Sequence, residues 1–252
     1  MGRERLPHLP VAMSSESLSR RAYETWHQDV ASETAQADRP WHELIFRHLR
    51  PEDISGKRVL EIGCGRGELA CRLSSMPNGP RQLVAADFAQ SAVHLGRKRA
   101  GMSRASRLSW VVASMQDIAI RSELFDTIIS CETIEHVPDP QRAMNELQRV
   151  LRPGGRLLLT TPNYMGPLGA YRGYMRATGR RYTEGGQPIC HLTSLPRTIA
   201  WVRRAGMRIA AVDAIGHYVP WPGRQPIRMP SLESIRLLRW FALHSIVVAD
   251  NT

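Results

Sequence analysis

A chain of 252 residues, 42% of them hydrophobic, is long enough for one α/β domain with additions and needs no disulfide or metal staple. Its four cysteines form no C-x-x-C pair, which excludes a disulfide framework or cysteine zinc site, and no apolar run reaches the roughly 20 residues that span a bilayer. The net charge of +11 is almost all arginine, scattered rather than interleaved with aromatics, and so argues against a nucleic-acid strip.

Residues 1 to 15, with Pro7, Pro10 and a serine pair, read as a frayed start without the apolar core of a secretory signal, hence a cytoplasmic chain. From Ser17 to about Leu49 the pattern favours helices, broken at Asp38-Arg39-Pro40 and anchored by Tyr23, Trp26 and Trp41. Residues 1–56 are therefore expected to form a helical cap or lid, and 57–252 the main domain. Arg58 to Ile62 reads as a buried strand that includes Glu61 and breaks into Gly63, Gly65 and Gly67. A helix is expected from Glu68 to Ser75, a strand from Gln82 to Asp87, and a helix from about Gln90 to Ala100. Leu108 to Val112 and Phe125 to Cys131 are the next strands, followed by a helix over Asp139 to Leu151. Arg152-Pro153-Gly154-Gly155 reads as a turn into a strand, Arg156 to Thr161. The segment 163–190 lacks periodic apolar positions and reads as a substrate-side insert, as does a proline-rich loop over 214–232. Between them lie a helix, Leu195 to Ala205, stopped by Gly206, and a strand, Met207 to Val212. A helix over Leu232 to Trp240 and a strand over Ser245 to Ala249 complete the chain. Seven nearly all-apolar strands alternating with helices predict a mostly parallel α/β sheet, doubly wound, with helices on both faces.

The glycine spacing G-x-G-x-G departs from the dinucleotide fingerprint, and no G-K-[ST] follows for a phosphate loop. Asp87 falls about 20 residues on, where a carboxylate accepts both hydroxyls of a cofactor ribose, and Phe88 can lie against the adenine. The glycine motif, Asp87, the segment Ala113 to Ile118 and Leu151-Arg152-Pro153-Gly154-Gly155 together resemble class I S-adenosylmethionine (SAM) methyltransferases, over about Tyr23 to the end. The resemblance implies a Rossmann-like fold with SAM as cofactor. It implies that the turn residues Glu61, Gly63, Cys64, Gly65 and Gly67 contact the cofactor. It further implies Ser114, Met115 and Gln116 beside the adenine, Cys131 near the methionine moiety, and Tyr23 closing over it.

The reaction centre is expected after the fourth strand, in Glu132-Thr133-Ile134-Glu135-His136-Val137-Pro138-Asp139-Pro140. This segment closely resembles ubiquinone-biosynthesis O-methyltransferases, and E-x-x-E-H also occurs in small-RNA 3′-terminal 2′-O-methyltransferases. Both resemblances imply a divalent metal that binds substrate hydroxyls. Two carboxylates and an imidazole suit Mg²⁺, Mn²⁺ or Zn²⁺, and a metal lowers the pKa of a bound hydroxyl. Glu132, Glu135 and His136 would share one face of a helical turn. His191, in Cys190-His191-Leu192-Thr193, resembles the downstream histidine of the RNA enzymes, and that resemblance implies it as fourth ligand. The competing reading makes His136 a direct general base, since Glu-His-Val-Pro also occurs in metal-free relatives. His136, Glu135 and His191 are thus the catalytic candidates. The expected reaction is methyl transfer to a hydroxyl of a small molecule, a phenol, catechol or sugar. Tyr164, Tyr171, Tyr174, Tyr182, Tyr218 and Trp221 suit such an acceptor. The alternatives are an RNA 3′-terminal ribose 2′-O-methyltransferase, an N- or C-methyltransferase, and a non-catalytic SAM-binding partner. A homodimer is compatible with the sequence.

Overall fold

Period-two patterning in the first strands divides their side chains between two cores. In β1 (Arg58–Ile62) and β2 (Gln82–Asp87), Leu60, Ile62, Val84 and Ala86 pack on one face of the sheet. Val59, Leu83 and Ala85 pack on the other. Strands buried on both faces are apolar throughout, which is why these runs read as parallel. The structure, a computed structural model, describes residues 15–29, 39–101, 107–179, 191–219 and 227–252. The expectations for the frayed start, Tyr182 and Trp221 lie outside the described residues.

With β3 (Leu108–Val112), β4 (Phe125–Cys131), β5 (Leu151–Pro162), β6 (Met207–Ile215) and β9 (His244–Asn251), the sheet has seven strands in the order β3-β2-β1-β4-β5-β9-β6. The first five are parallel, and β9 runs antiparallel to both β5 and β6. Reversal between β1 and β4 creates a crevice at the strand C-termini, where open α/β sheets bind their ligands.

One face is covered by α6 (Pro140–Val150) and α8 (Leu195–Arg204), through Ala143, Met144, Leu147, Val150, Leu195, Trp201 and Val202. Asp139 starts α6 by accepting from the Arg142 amide at 3.0 Å, with Pro140 following it. The other face carries α2 (Pro40–His48) and α4 (Glu68–Ser74), through Leu44, Ile45, Leu69, Ala70 and Leu73. The short α3 (Pro51–Ile54) follows α2. Within the expected cap, therefore, α2 belongs to the core and α1 (Ser15–Asp29) lies outside it, against α5 (Gln90–Gly101). Glu24 of α1 supplies the cap that α5 lacks, its carboxylate accepting from the Gln90 and Ser91 amides.

Three elements differ from expectation. Arg152 to Gly155 is a bulge inside β5: Phe125 pairs with Leu151, the register then shifts, and Thr127 pairs with Arg156. Gly154 at φ +70 absorbs the distortion. The expected helix over Leu232 to Trp240 is two short 3₁₀ turns, Pro230–Leu232 and Arg236–Phe241. Its carbonyls are taken by tertiary donors: His217 Nε2 lies 2.8 Å from Leu238 O, and Asn163 Nδ2 donates to Trp240 O at 2.7 Å. The regions expected to be irregular contain α7 (Pro167–Ala177) and a hairpin of β7 (Tyr218–Val219) and β8 (Ile227–Arg228). Tyr171 and Tyr174 of α7 are exposed, so its apolar residues leave no core-facing stripe to read. No helix among the described residues is long and apolar enough to cross a membrane.

Candidate active site

The three glycines of the turn after β1 serve three different needs. Gly63 (φ +74) lies so close to Thr133 that an added Cβ would fall 2.2 Å from the Thr133 Cγ2 and Oγ1. Gly67 (φ +70) is pressed likewise by the Trp110 ring. At Gly65 (φ +51) the nearest atom to an added Cβ is His27 Cε1, at 4.0 Å, so this glycine alone of the three borders open space. Backbone approach to a ligand is available there. Gly63→Ala is expected to cost roughly 1–3 kcal/mol, from strain at positive φ plus the Thr133 clash. Urea midpoints of the single variant and of Gly63→Ala/Thr133→Gly check it, since the second substitution relieves only the clash.

Asp87, at the end of β2, holds the same turn. Its Oδ2 accepts from the Gly65 amide at 2.9 Å and its Oδ1 from the Ala89 amide at 3.0 Å. Burial pushes its carboxyl up to about 6, against the lowering effect of these amides. Each oxygen keeps a further lone pair for a ligand hydroxyl. Glu61 lies behind the turn, buried, and burial pushes its carboxyl up to about 8, so it is mostly neutral at physiological pH. Burial likewise drives the thiols of Cys64 and Cys131 well upward, which leaves both as neutral packing groups.

A narrow cleft opens beside the turn, lined by Ile62, Gly63, Phe88, Ala113, Ser114, Met115, Gln116, Thr133, His136, Val137 and Pro138. Five predicted cofactor residues, Gly63, Phe88, Ser114, Met115 and Gln116, are thus brought together. Gly65, Gly67, Asp87, Glu61, Cys64 and Cys131 shape or back the turn without lining the cleft. Ser114 Oγ accepts from the Gln116 amide at 3.2 Å, and Gln116 Oε1 from the Asp139 amide, which fixes the loop after β3. Tyr23, buried on α1, sets its ring 5.2 Å from Phe88 and 5.8 Å from His136. With α1 so placed, the cleft holds about 40 Å³ of open volume, little more than a water molecule.

His27 locks α1 to the turn, its carbonyl accepting from Arg66 Nη2 at 3.3 Å. Burial, with the Arg66 guanidinium second, holds its imidazole down to about 4. Folded, His27 stays neutral until pH 4, whereas the unfolded chain takes the proton near 6.5. Its contribution is therefore present above 6.5 and lost as pH falls to 4, by up to about 3 kcal/mol. The difference in urea midpoint between wild type and His27→Asn should shrink across that window.

The chemistry-bearing segment after β4 does not form one helical face. Glu132 adopts φ +46, a strained region for a non-glycine residue, and precedes a single 3₁₀ turn, Ile134–His136. Its Oε2 turns to His244 Nδ1, 3.4 Å away at the start of β9, against the rings of Trp41 and Tyr218. Glu135 is fully buried, accepting from Thr161 Oγ1 at 3.4 Å, with its Oε1 3.5 Å from His136 Nε2. His191 is exposed, and its amide donates to the Glu135 carbonyl at 2.8 Å. The four expected metal ligands, Glu132, Glu135, His136 and His191, are therefore not gathered. Among the described residues no three His, Cys, Asp or Glu side chains are placed to hold a metal ion. The described residues, as placed, do not fit that group. Sequence reading missed His244: a single histidine before an apolar strand carries no signal until β9 pairs Pro162 with it.

A sheet of this order, with a glycine turn and an acid at the ends of its first two strands, defines a nucleotide-cofactor-binding α/β protein. Residues 60–159 match a family described as a methyltransferase domain. A ubiquinone biosynthesis O-methyltransferase of Xanthomonas oryzae pv. oryzae is 30% identical over 178 residues, 68% of this chain and 71% of that protein. Its counterpart in Xanthomonas axonopodis pv. citri is 29% identical over 206 residues, 79% and 81% of the two chains. Among solved structures, the methyltransferase complexed with the Haloferax volcanii Trm112 activator superposes with TM-score 0.67 at 18% identity, covering 91% of this chain and 97% of that one. The chain belongs to the class I SAM-dependent methyltransferases. SAM is its cofactor, and the open space at Gly65 with the free lone pairs of Asp87 fits that molecule.

Proposed function

We propose that this enzyme transfers the SAM methyl group to a hydroxyl of a small, partly apolar acceptor, with His136 removing the hydroxyl proton. One observation carries the reading: His136 is the one imidazole among the residues lining the cleft, and it is backed by a fully buried carboxyl group. The names of the relatives, O-methyltransferases of ubiquinone biosynthesis, support an oxygen acceptor on a phenolic or catecholic ring.

Bound SAM would supply a methyl group on a sulfonium, open to in-line attack by the acceptor oxygen with S-adenosylhomocysteine as the leaving group. Asp87 would accept the ribose hydroxyls, Gly65 would let the backbone approach the cofactor, and Phe88 and Met115 would meet the adenine. Glu135 Oε1 stands 3.5 Å from His136 Nε2, so Nδ1 would take the acceptor proton while the new imidazolium keeps a carboxyl group beside it. The acceptor lies over the C-terminal ends of β4 and β5, walled by Glu132, His244, Trp41 and Tyr218. In this reading 57–252 is the catalytic domain and α1 the moving part of the 1–56 cap. Tyr23 and the Glu24 clasp must release for the cofactor to enter a cleft this narrow.

Labelled methyl transfer from SAM to a catechol panel and to a short RNA with a free 3′ end tests this, each with and without EDTA and with Mn²⁺ restored. Chelator-insensitive labelling of a catechol is the expected result. Labelling of RNA alone would overturn the acceptor class, and chelator-sensitive labelling would return the proton step to a metal.

A further inference from the structure

The end of the sheet opposite the cofactor cleft carries a second cavity. It has a volume of about 350 Å³ and is lined by Arg58, Arg81, Gln82, Arg107 and Ser109. The sheet places these residues together. Arg58 opens β1 and pairs in register with Gln82 at the start of β2, and Val84 pairs with Ser109 in β3. Residues two apart share a face, so Arg58, Gln82 and Ser109 project from the same side of the sheet. Arg107 is tied into this edge by its carbonyl, which accepts from the Leu83 amide at 2.9 Å. β1 has five residues, and at about 3.3 Å per residue this edge lies roughly 15 Å from the glycine turn.

Among the described residues the charge there is uncompensated. Three arginines line one pocket, with no carboxylate among its described lining residues. No ion pair joins Arg58, Arg81 or Arg107 to an acid among the described residues, although arginines elsewhere in the chain are widely paired. The neighbouring acid, Asp126, is already committed to the Arg58 amide at 2.8 Å and to Arg152 Nη1 at 2.8 Å. Converging arginines without carboxylate partners repel one another and attract a multivalent anion. Planar guanidiniums match phosphate oxygens in pairs, while Gln82 and Ser109 add neutral donors.

We propose that this cavity is an anion site for a small ligand bearing two or more phosphoryl groups, held by Arg58, Arg81 and Arg107 and separate from the cofactor cleft. The depression is open to solvent, with Arg81, Gln82, Arg107 and Ser109 exposed, which suits a small hydrated anion. Among the described residues no aromatic platform lines it, as a single-stranded nucleic acid would require.

Isothermal titration of the full chain with inorganic pyrophosphate at about 50 mM salt tests the proposal, with inorganic phosphate and a ten-nucleotide oligothymidylate as comparison arms. Pyrophosphate should bind saturably at one site, more tightly than phosphate, and more weakly as salt rises. Arg81 and Arg107 are exposed, so R81Q/R107Q should keep the wild-type urea midpoint and lose pyrophosphate affinity by roughly ten-fold or more. Absence of saturable pyrophosphate binding, or equal affinity in the double variant, would overturn the site. Oligothymidylate binding more tightly than pyrophosphate, and lost in the same variant, would overturn the small-ligand assignment.

Discussion

Replacing Asp87 by alanine should raise the Kd for SAM by about 10²- to 10⁴-fold. In the proposed mode Asp87 accepts two ribose hydroxyls, and hydrogen bonds to a charged acceptor are each worth roughly 1.5–3 kcal/mol. The same side chain braces the turn through the Gly65 and Ala89 amides, so the alanine variant should also lose stability. Asp87→Asn separates the two effects, because one amide oxygen still accepts while the charge is gone. The acid's own titration supplies an independent check. Burial has raised its carboxyl to about 6, so below that pH it is protonated and one oxygen becomes a donor. Wild-type affinity for S-adenosylhomocysteine should therefore weaken as pH falls through 6, by at most about ten-fold per unit, and Asp87→Asn should flatten the profile. Calorimetry from pH 5 to 8 reads both. An unchanged Kd in Asp87→Ala would remove Asp87 from the cofactor site.

His136→Ala should lower kcat by about 10²- to 10⁴-fold, the usual contribution of a positioned general base, while leaving the Kd for SAM within a few-fold of wild type. The two parameters separate because, in the proposed mode, His136 meets the acceptor oxygen whereas Phe88 and Met115 meet the adenine. Glu135→Gln should cost less, since it keeps the shape and removes only the counter-charge of the imidazolium. It should also shift the pH–rate profile of kcat toward lower pH, because the imidazolium loses its partner. A merely structural Glu135 would change stability without moving that profile. Equal kcat in wild type and His136→Ala would assign proton removal elsewhere, first to the Glu132–His244 pair.

Much of the cofactor side was legible because it is local. The glycine turn, the acid ending β2 and the loop after β3 each sit within a few residues of an apolar strand, and backbone stereochemistry dictates their chemistry. The sequence could not say which glycine faces the ligand. Gly63 and Gly67 are held by Thr133 and Trp110, partners more than 40 residues away, and only Gly65 is left open. The expected ligands are not gathered for a related reason. Spacing of three and four places Glu132, Glu135 and His136 together only on an α-helix. The chain instead enters a single 3₁₀ turn through a left-handed residue, and that rotation aims Glu132 at His244.

The sequence alone determined a mostly parallel α/β sheet with a nucleotide-cofactor turn, and its resemblance to a known family implied a methyltransferase that uses SAM. Strand periodicity and the glycine–acid spacing are short-range signals that survive without knowledge of the fold. Tertiary structure alone decided the neighbours of the reacting groups. Glu132 and His244 are 112 residues apart and meet because β9 inserts antiparallel between β5 and β6. Arg58, Arg81 and Arg107 form one cavity because three parallel strands begin side by side. Contacts of that kind depend on register across a sheet, which no stretch of a single strand encodes.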